Sequence, residues 1–384
     1  MSHSELTWAH VHARRTARHA LTAPLPAGRA AEAARALCGA HAQVLSAAEL
    51  SIGLRVADTT RSDVRAALWD RHELVKTFGP RGTVHLLATA DLPVWTAALS
   101  AIPSSASPFP DGVRFTAAEV DAVVAAIDDA LIDATLTTDE LGDEVVARTG
   151  PWAGERTMEA FQDKWPRWRQ AISAAAHRGV LCFGPTRGRK VTYASPRRYL
   201  PSERPGSEEA LAQLVRWYLT SYGPATPHQF AQWLSAPRGW ATTLFATLAD
   251  ELEPVDVEGF TGWVVAGEAA PTDDPPGGLR LLPYFDAYQV GSHPRDRVFP
   301  GPARERALAG SQAGNYPVLL IDGVVAGVWH LRRSGRRLAI TVEPLRPLSA
   351  RRRAELDVEV ERVGVILEGT PTLTIGPITV GAHA

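Results

Sequence analysis

Lysine is nearly missing from this chain of 384 residues: Lys76, Lys164 and Lys190 are the only three, and the other basic residues are arginine. With abundant alanine, that bias reads as the codon usage of a GC-rich genome, so arginine richness alone is no signature of phosphate binding. Cysteine is equally scarce. Cys38 and Cys182 lie far apart and form no metal-spaced pair, which excludes a disulfide-built scaffold and points to a reduced intracellular protein. There is no HExxH and no CxxC, no P-loop and no GxGxxG. His10 and His12 make a lone H-x-H pair, too little for a metal site, so neither a metal nor a nucleotide cofactor is expected. The stretch MSHSELTWAHVHARR has no apolar signal core, and no run is long and apolar enough to span a bilayer. A soluble cytoplasmic protein with no membrane partner is the expectation. Net charge is also small, at -2. That argues against a polybasic protein held to nucleic acid by bulk charge and leaves local basic patches as the question.

The hydrophobic fraction of 45% supports a large core, and the length allows two to three packing units. One structural order recurs. Thr116-Ala117-Ala118-Glu119 has capping-box spacing and precedes a helical pattern through Val120, Val123, Val124, Ile127 and Leu131. A second such box, Thr137 to Glu140, opens a short helix, and a third helix is expected from about Phe161 to His177. VLCFGP, the basic turn TRGRK and VTYA follow as a hairpin. Three helices and a hairpin with a basic tip describe a winged helix-turn-helix. The order returns over Glu208–Tyr222, PHQFAQWL, Trp240–Asp250 and the strand-like runs LEPVDVEG and FTGWVVAG. It is fainter in the first hundred residues, with helices near 8–20, 27–38, 46–56 and 61–69 and the strand TVHLLA. EAAPTDDPPGG (268–278) reads as a linker. LRLLPYFDAYQVG, YPVLLIDG, VVAGVWHL and LAITVEPL then look like strands, with a helix over Arg351–Leu367 and a last strand, TLTIGPITV. The expected fold is therefore α+β: tandem winged helix-turn-helix units over 1–112, 113–204 and 205–268, and a β-rich α+β unit over 279–384.

Residues 151–200 hold ten basic and three acidic side chains. Arg167 and Arg169 fall on the expected recognition helix and Arg187, Arg189 and Lys190 on the wing, the elements that meet DNA in this fold. They read as phosphate contacts or as a solvated face. Arg332, Arg333, Arg336 and Arg337 lie in RRSGRR, a hairpin tip that can enter a groove or simply be an exposed turn. Trp165 and Trp168 in KWPRWR can stack on bases, with core packing the better reading.

The segment LCGAHAQVLSAAELSIGLRV is the most telling. Ser46-Ala47-Ala48-Glu49 has capping-box spacing, which predicts a helix beginning at Ser46. His41 and Gln43 then precede the helix in an extended connection, where two residues apart means one side of the chain. An imidazole and a carboxamide side by side can hold a water, or they can merely satisfy backbone groups at a helix start.

This segment resembles the AlkZ family of winged-helix DNA glycosylases, whose members include enzymes that unhook interstrand crosslinks. RGTVHLLATADLP (81–93), YGPAT (222–226), LLPYFDAYQVG (281–291) and YPVLLIDGVVAGVWHLRR (316–333) carry the resemblance along most of the chain. The family places a Q-x-Q or Q-x-D active-site motif at this location. Gln43 matches its second residue and His41 replaces its first, as in the H-x-Q variant tied to genotoxin self-resistance. The resemblance implies a monofunctional glycosylase acting on double-stranded DNA that carries bulky N7-alkylated purines, nucleoid-associated when bound, with no cofactor. No lysine lies in the motif to form a Schiff base. A monomer is the simplest expectation.

N7-alkylation makes guanine cationic, so its departure needs no strong acid. The transition state resembles an oxocarbenium ion at the sugar, and the need is for a water held near the anomeric carbon. The Gln43 carbonyl can accept a hydrogen bond from that water. His41, with an ordinary pKa of ~6.5, can take its proton, so the rate is expected to drop below pH ~6.5. His85 reads as a structural or a catalytic histidine. Asp286 and Tyr288 either line the same cleft or orient a loop. The rival reading is a non-catalytic winged-helix protein, a transcription regulator or a toxin-binding protein.

Overall fold

The computed structural model describes residues 6–103, 109–159, 164–200, 204–271, 277–310 and 312–382. Helices and strands alternate from end to end, giving a mixed α+β architecture. After helix Trp8–Arg18, helices Ala30–Ala36, Leu45–Gly53 and Arg61–Trp69 pack on a small sheet in which Val84–Ala88 lies between Ala40–His41 and Leu74–Phe78. The next stretch runs helix Ala117–Leu131, strand Leu136–Thr137, helix Thr138–Thr149, helix Ile172–His177, then the hairpin Cys182–Arg187 and Lys190–Ala194. A third runs Ser207–Tyr222, Pro227–Leu234 and Arg238–Thr247 into the hairpin Leu252–Val257 and Phe260–Val265. The last is a five-stranded sheet in sequence order. Its final strand, Thr370–Ile375, runs parallel to Arg337–Pro344 after the helix Ala350–Ile366.

Local chemistry explains most helix starts. Thr116 and Glu119 satisfy each other's backbone N–H groups, as do Thr137 with Glu140 and Thr226 with Gln229. Ser46 and Glu49 do not. Their helix begins at Leu45, and its N-cap, Val44, offers no side-chain hydrogen bond. Glu49 is fully buried and its carboxylate is taken by Arg65 at 2.6 Å and Arg61 at 3.7 Å. A carboxylate claimed by two guanidiniums cannot turn back to a backbone amide.

Three further expectations need correction. The third helix expected from Phe161 is much shorter: residues 161–163 lie outside the described ones, Trp165–Pro166 form a strand with Arg156–Met158, and a single 3-10 stretch over Arg167–Ala171 leads into Ile172–His177. Pro166 explains this, because it lacks an N–H and pushes the residue before it out of the helical region. LRLLPYFDAYQVG is a strand only over Leu279–Leu282; Asp286 then caps the short helix Ala287–Gly291. The strand Leu74–Phe78 was hidden by Lys76 in its middle. Residues 272–276 of the expected linker also lie outside the described ones.

The cores cross the expected unit boundaries. Leu21, Leu50 and Leu54 pack with Leu281, Val328 and Leu356 of the last sheet and its helix. Cys38 and Leu87 pack with Leu214 and Tyr218. The first helix adds polar ties: buried Arg15 donates to the carbonyls of Gly223, Pro224 and His293, and Arg18, at the surface, to that of Thr220. Among the described residues no helix is long and apolar enough to cross a membrane. The capping geometry makes a paired prediction. Thr137→Ala lowers unfolding free energy by about 1 kcal/mol, whereas Ser46→Ala changes it by less than about 0.5 kcal/mol; denaturant titration of the two variants separates them.

Candidate active site

His41 ends a two-residue strand whose register places it opposite His85. The strand can lie there because Gly39 precedes it with φ +95; a Cβ at that position would stand 2.7 Å from Leu87 and 3.3 Å from the His85 ring. The backbone N–H of Ala42 donates to Val84 O at 2.7 Å, and the chain then turns into the helix Leu45–Gly53. Gln43 stands exposed at this turn. Both residues thus lie ahead of the helix, as the spacing predicts, although the cap that led there is absent.

The His41 ring is held by rings rather than by a hydrogen bond. Phe285 stacks on it with centroids 4.6 Å apart and planes at 29°, and His85 meets it edge-on at 5.2 Å. His41 Nδ1 is sealed from solvent with no partner among the described residues, whereas Nε2 is not sealed. Burial pushes the imidazole down to about 4, helped by the charge of Arg81. The ring is therefore neutral across the physiological range, which corrects the expected protonation near 6.5. His85 is buried, its Nδ1 bonds Thr83 O at 2.8 Å, and burial, His41 and Arg81 hold it well below the ordinary range, which favours the structural reading.

Phe285 is the site residue that the sequence did not reveal. Its backbone is left-handed, with φ +54, and its N–H donates to Gly314 O at 2.9 Å. The next residue fixes it there. Asp286 accepts from Ser51 Oγ at 2.6 Å, from both Arg55 amines at 2.9 and 2.8 Å, and from Tyr288 N at 3.0 Å. Both members of the Arg55–Asp286 pair are wholly buried. Tyr288, also buried, donates its hydroxyl to Gly323 O. Of the two roles open to Asp286 and Tyr288, these bonds favour bracing the loop that carries Phe285. Arg55 was the available signal, a lone charge in the apolar run LSIGLRV.

The basic candidates divide. Arg167 is largely buried: it lies over Phe115 at 5.1 Å, near Glu119 and Glu155 at 3.6 Å. Arg169 covers the exposed Trp165 at 4.0 Å, while Trp168 is core. Arg187 pairs with Glu140 and Lys190 with Asp139 on the surface, contacts weak enough to be exchanged for phosphate. Arg333 is tied back to the carbonyls of Leu367 and Gly335. Arg189, Arg332, Arg336 and Arg337 are exposed on the two hairpins.

A family model described as "DNA glycosylase AlkZ-like" matches residues 34–365. The chain belongs to the AlkZ-like DNA glycosylase family. It is 33% identical over 339 residues to an interstrand DNA cross-link repair glycosylase of Streptomyces sahachiroi, covering 85% of this chain and 88% of that protein. The solved structure of Streptomyces sahachiroi DNA glycosylase AlkZ is similar over 97% of this chain and 100% of its own, with a TM-score of 0.80 at 28% identity. Family membership makes this protein an enzyme acting on DNA and decides against the non-catalytic reading.

The stacked site of this AlkZ-like glycosylase makes a prediction independent of activity. In histidine NMR titrations, His41 of the wild type loses its proton near 4. Phe285→Ala exposes the ring and raises that value toward ~6.5, whereas Phe285→Tyr leaves it in place. No change in Phe285→Ala means that stacking does not control the ring.

Proposed function

We propose that this AlkZ-like glycosylase hydrolyses the N-glycosidic bond of bulky N7-alkylated purines in double-stranded DNA, with His41 and Gln43 holding the water. The observation that carries this reading is the pairing of a neutral, ring-clamped imidazole with an exposed carboxamide two residues on, at the start of a helix. Water adds to C1′ as the C1′–N9 bond breaks, the base leaves with the bonding electrons, and its positive charge is cancelled. A water bound to an oxocarbenium-like carbon becomes strongly acidic, so a base as weak as His41 suffices to receive its proton late. Positioning is then the larger contribution and proton transfer the smaller.

Several observations support the wider reading. The relative from Streptomyces sahachiroi is described as a cross-link repair glycosylase, and a crosslink is a bulky adduct too large for a tight flipped-base pocket. This favours an open cleft, and an adduct from a genotoxic natural product against which the enzyme gives self-resistance. The order helix, strand, helix, helix, hairpin over residues 117–194 supports winged-helix units with the boundaries 1–112, 113–204 and 205–268 ahead of the unit 279–384. Exposed Arg189, Arg332, Arg336 and Arg337 are the DNA-backbone contacts in this reading, with Arg187 and Lys190 released from their surface pairs on binding and Arg169 and Arg333 beside them. The enzyme acts as a cytoplasmic monomer without cofactor.

The test is incubation with duplex DNA carrying N7-methylguanine or a bulky intercalating N7 adduct, followed by hot alkali to reveal abasic sites. Breaks above the buffer control are expected with the bulky adduct, and their absence with every adduct overturns the reading. Gln43→Ala lowers excision by roughly 10²-fold while DNA affinity stays, as for the loss of one well-aimed polar group; equal loss of both marks Gln43 as structural. Because the pKa of His41 is depressed, the wild-type rate stays level as pH falls from 8 to about 5 and declines only toward 4. A midpoint near 6.5 contradicts the buried, neutral imidazole.

A further inference from the structure

Arg81 is a charge without an anion among the described residues. It sits at the apex of the turn from Gly79 to Thr83, with left-handed φ +60. The turn is locked by Gly79 N to Thr83 O at 2.9 Å, Gly82 N to Gly79 O at 3.1 Å and Thr83 N to Pro80 O at 3.2 Å. It wraps the His85 ring, so closely that a Cβ on Gly79 would lie 2.9 Å from His85 Nδ1. His85 is the strand partner of His41, and Arg81 therefore stands beside the proposed water-holding pair.

Three other sequestered arginines are each held by three or more hydrogen bonds. Arg55 has Asp286. Arg15 donates to three carbonyls, and Arg295 to those of Gln289, Val290 and Ser292. Arg81 makes one bond, from Nη1 to Trp233 O at 2.6 Å at the end of the helix Pro227–Leu234. That bond caps an orphan helix carbonyl. Nε and Nη2 make no hydrogen bond, and the charge has no carboxylate, among the described residues. A bare guanidinium here opposes the positive charge that grows on the sugar in the transition state. An anion bound to Arg81 removes the opposition, and DNA brings one phosphate with every nucleotide.

We infer that Arg81 binds a backbone phosphodiester flanking the damaged nucleotide and so seats the sugar at His41 and Gln43. The inference rests on reading that pair as the excision site. The helix cap fixes the side chain in advance, so little rotamer freedom is lost when the fork of remaining donors closes on phosphate. Arg81 differs from the hairpin arginines in position: those lie on exposed tips and track the duplex, whereas this one marks a single nucleotide.

The test is equilibrium binding to a duplex with one N7-methylguanine whose glycosidic bond is protected by 2′-fluorine, so that no excision is required. A neutral methylphosphonate replaces each phosphate around the lesion in turn. With the wild-type protein, one flanking position weakens binding by about 10–100-fold, the loss of a charge-assisted hydrogen bond. Arg81→Gln keeps an amide donor for Trp233 O, weakens binding to the native duplex by a similar factor, and is indifferent to methylphosphonate at that position. Its affinity also falls less steeply with salt, by about one counterion. Equal sensitivity of both proteins to the flanking methylphosphonate overturns the inference, and so does a wild-type scan with no sensitive flanking position, whether or not the variant folds. If binding shows the coupling but natural N7 adducts are never excised, the function reading falls and the phosphate site stands. If adducts are excised but binding shows no coupling, the function reading stands and the phosphate site falls.

Discussion

The Arg55–Asp286 pair joins the two segments that make the site. Arg55 lies just past the C-terminus of the helix that begins two residues after Gln43, and Asp286 follows Phe285, whose ring lies on His41. Separating either partner leaves a buried charge unpaired, at a cost of about 3–5 kcal/mol. That penalty keeps the helix and the loop in a fixed relation. The left-handed backbone of Phe285 is retained for the same reason: Ser51, Arg55 and Tyr288 N all hold the carboxylate one residue on.

Around this tie the site is assembled from rings and buried charge, with few direct hydrogen bonds. His41 has no acid to orient it and no partner for Nδ1 among the described residues, and its ring is neutral because it is buried. A neutral acceptor suits the loss of a cationic base, where the leaving group needs no acid and the water needs chiefly to be in place. The same logic gives Arg81 its weight. A positive charge beside a site that develops positive charge is tolerable when the substrate neutralises it.

The sequence made some of this legible and hid the rest for physical reasons. Capping boxes at Thr116, Thr137 and Thr226 are local, and local hydrogen bonds determined those helices. Ser46 and Glu49 have the same spacing, but Glu49 answers to Arg65 sixteen residues away, a tertiary pairing that spacing cannot reveal. His41 and Gln43 were found from the chain's extended connection and from family resemblance. Phe285 comes from a distant segment and meets His41 only on folding, and the charge of Arg81 is felt there only then. The charge of Arg167 is visible in sequence; its burial against Phe115 is not.

A buried ion pair thus fixes the loop of Phe285 against His41, one of the two residues proposed to hold the water. Single-turnover excision of an N7-alkylguanine adduct by Asp286→Asn tests this most directly, since the side chain keeps its shape and loses its charge. The predicted result is a rate lower by about 10²-fold with DNA affinity retained, the penalty of a reacting group displaced by a small distance. A rate within about twofold of the wild type, a negligible change in transition-state stabilisation, contradicts it.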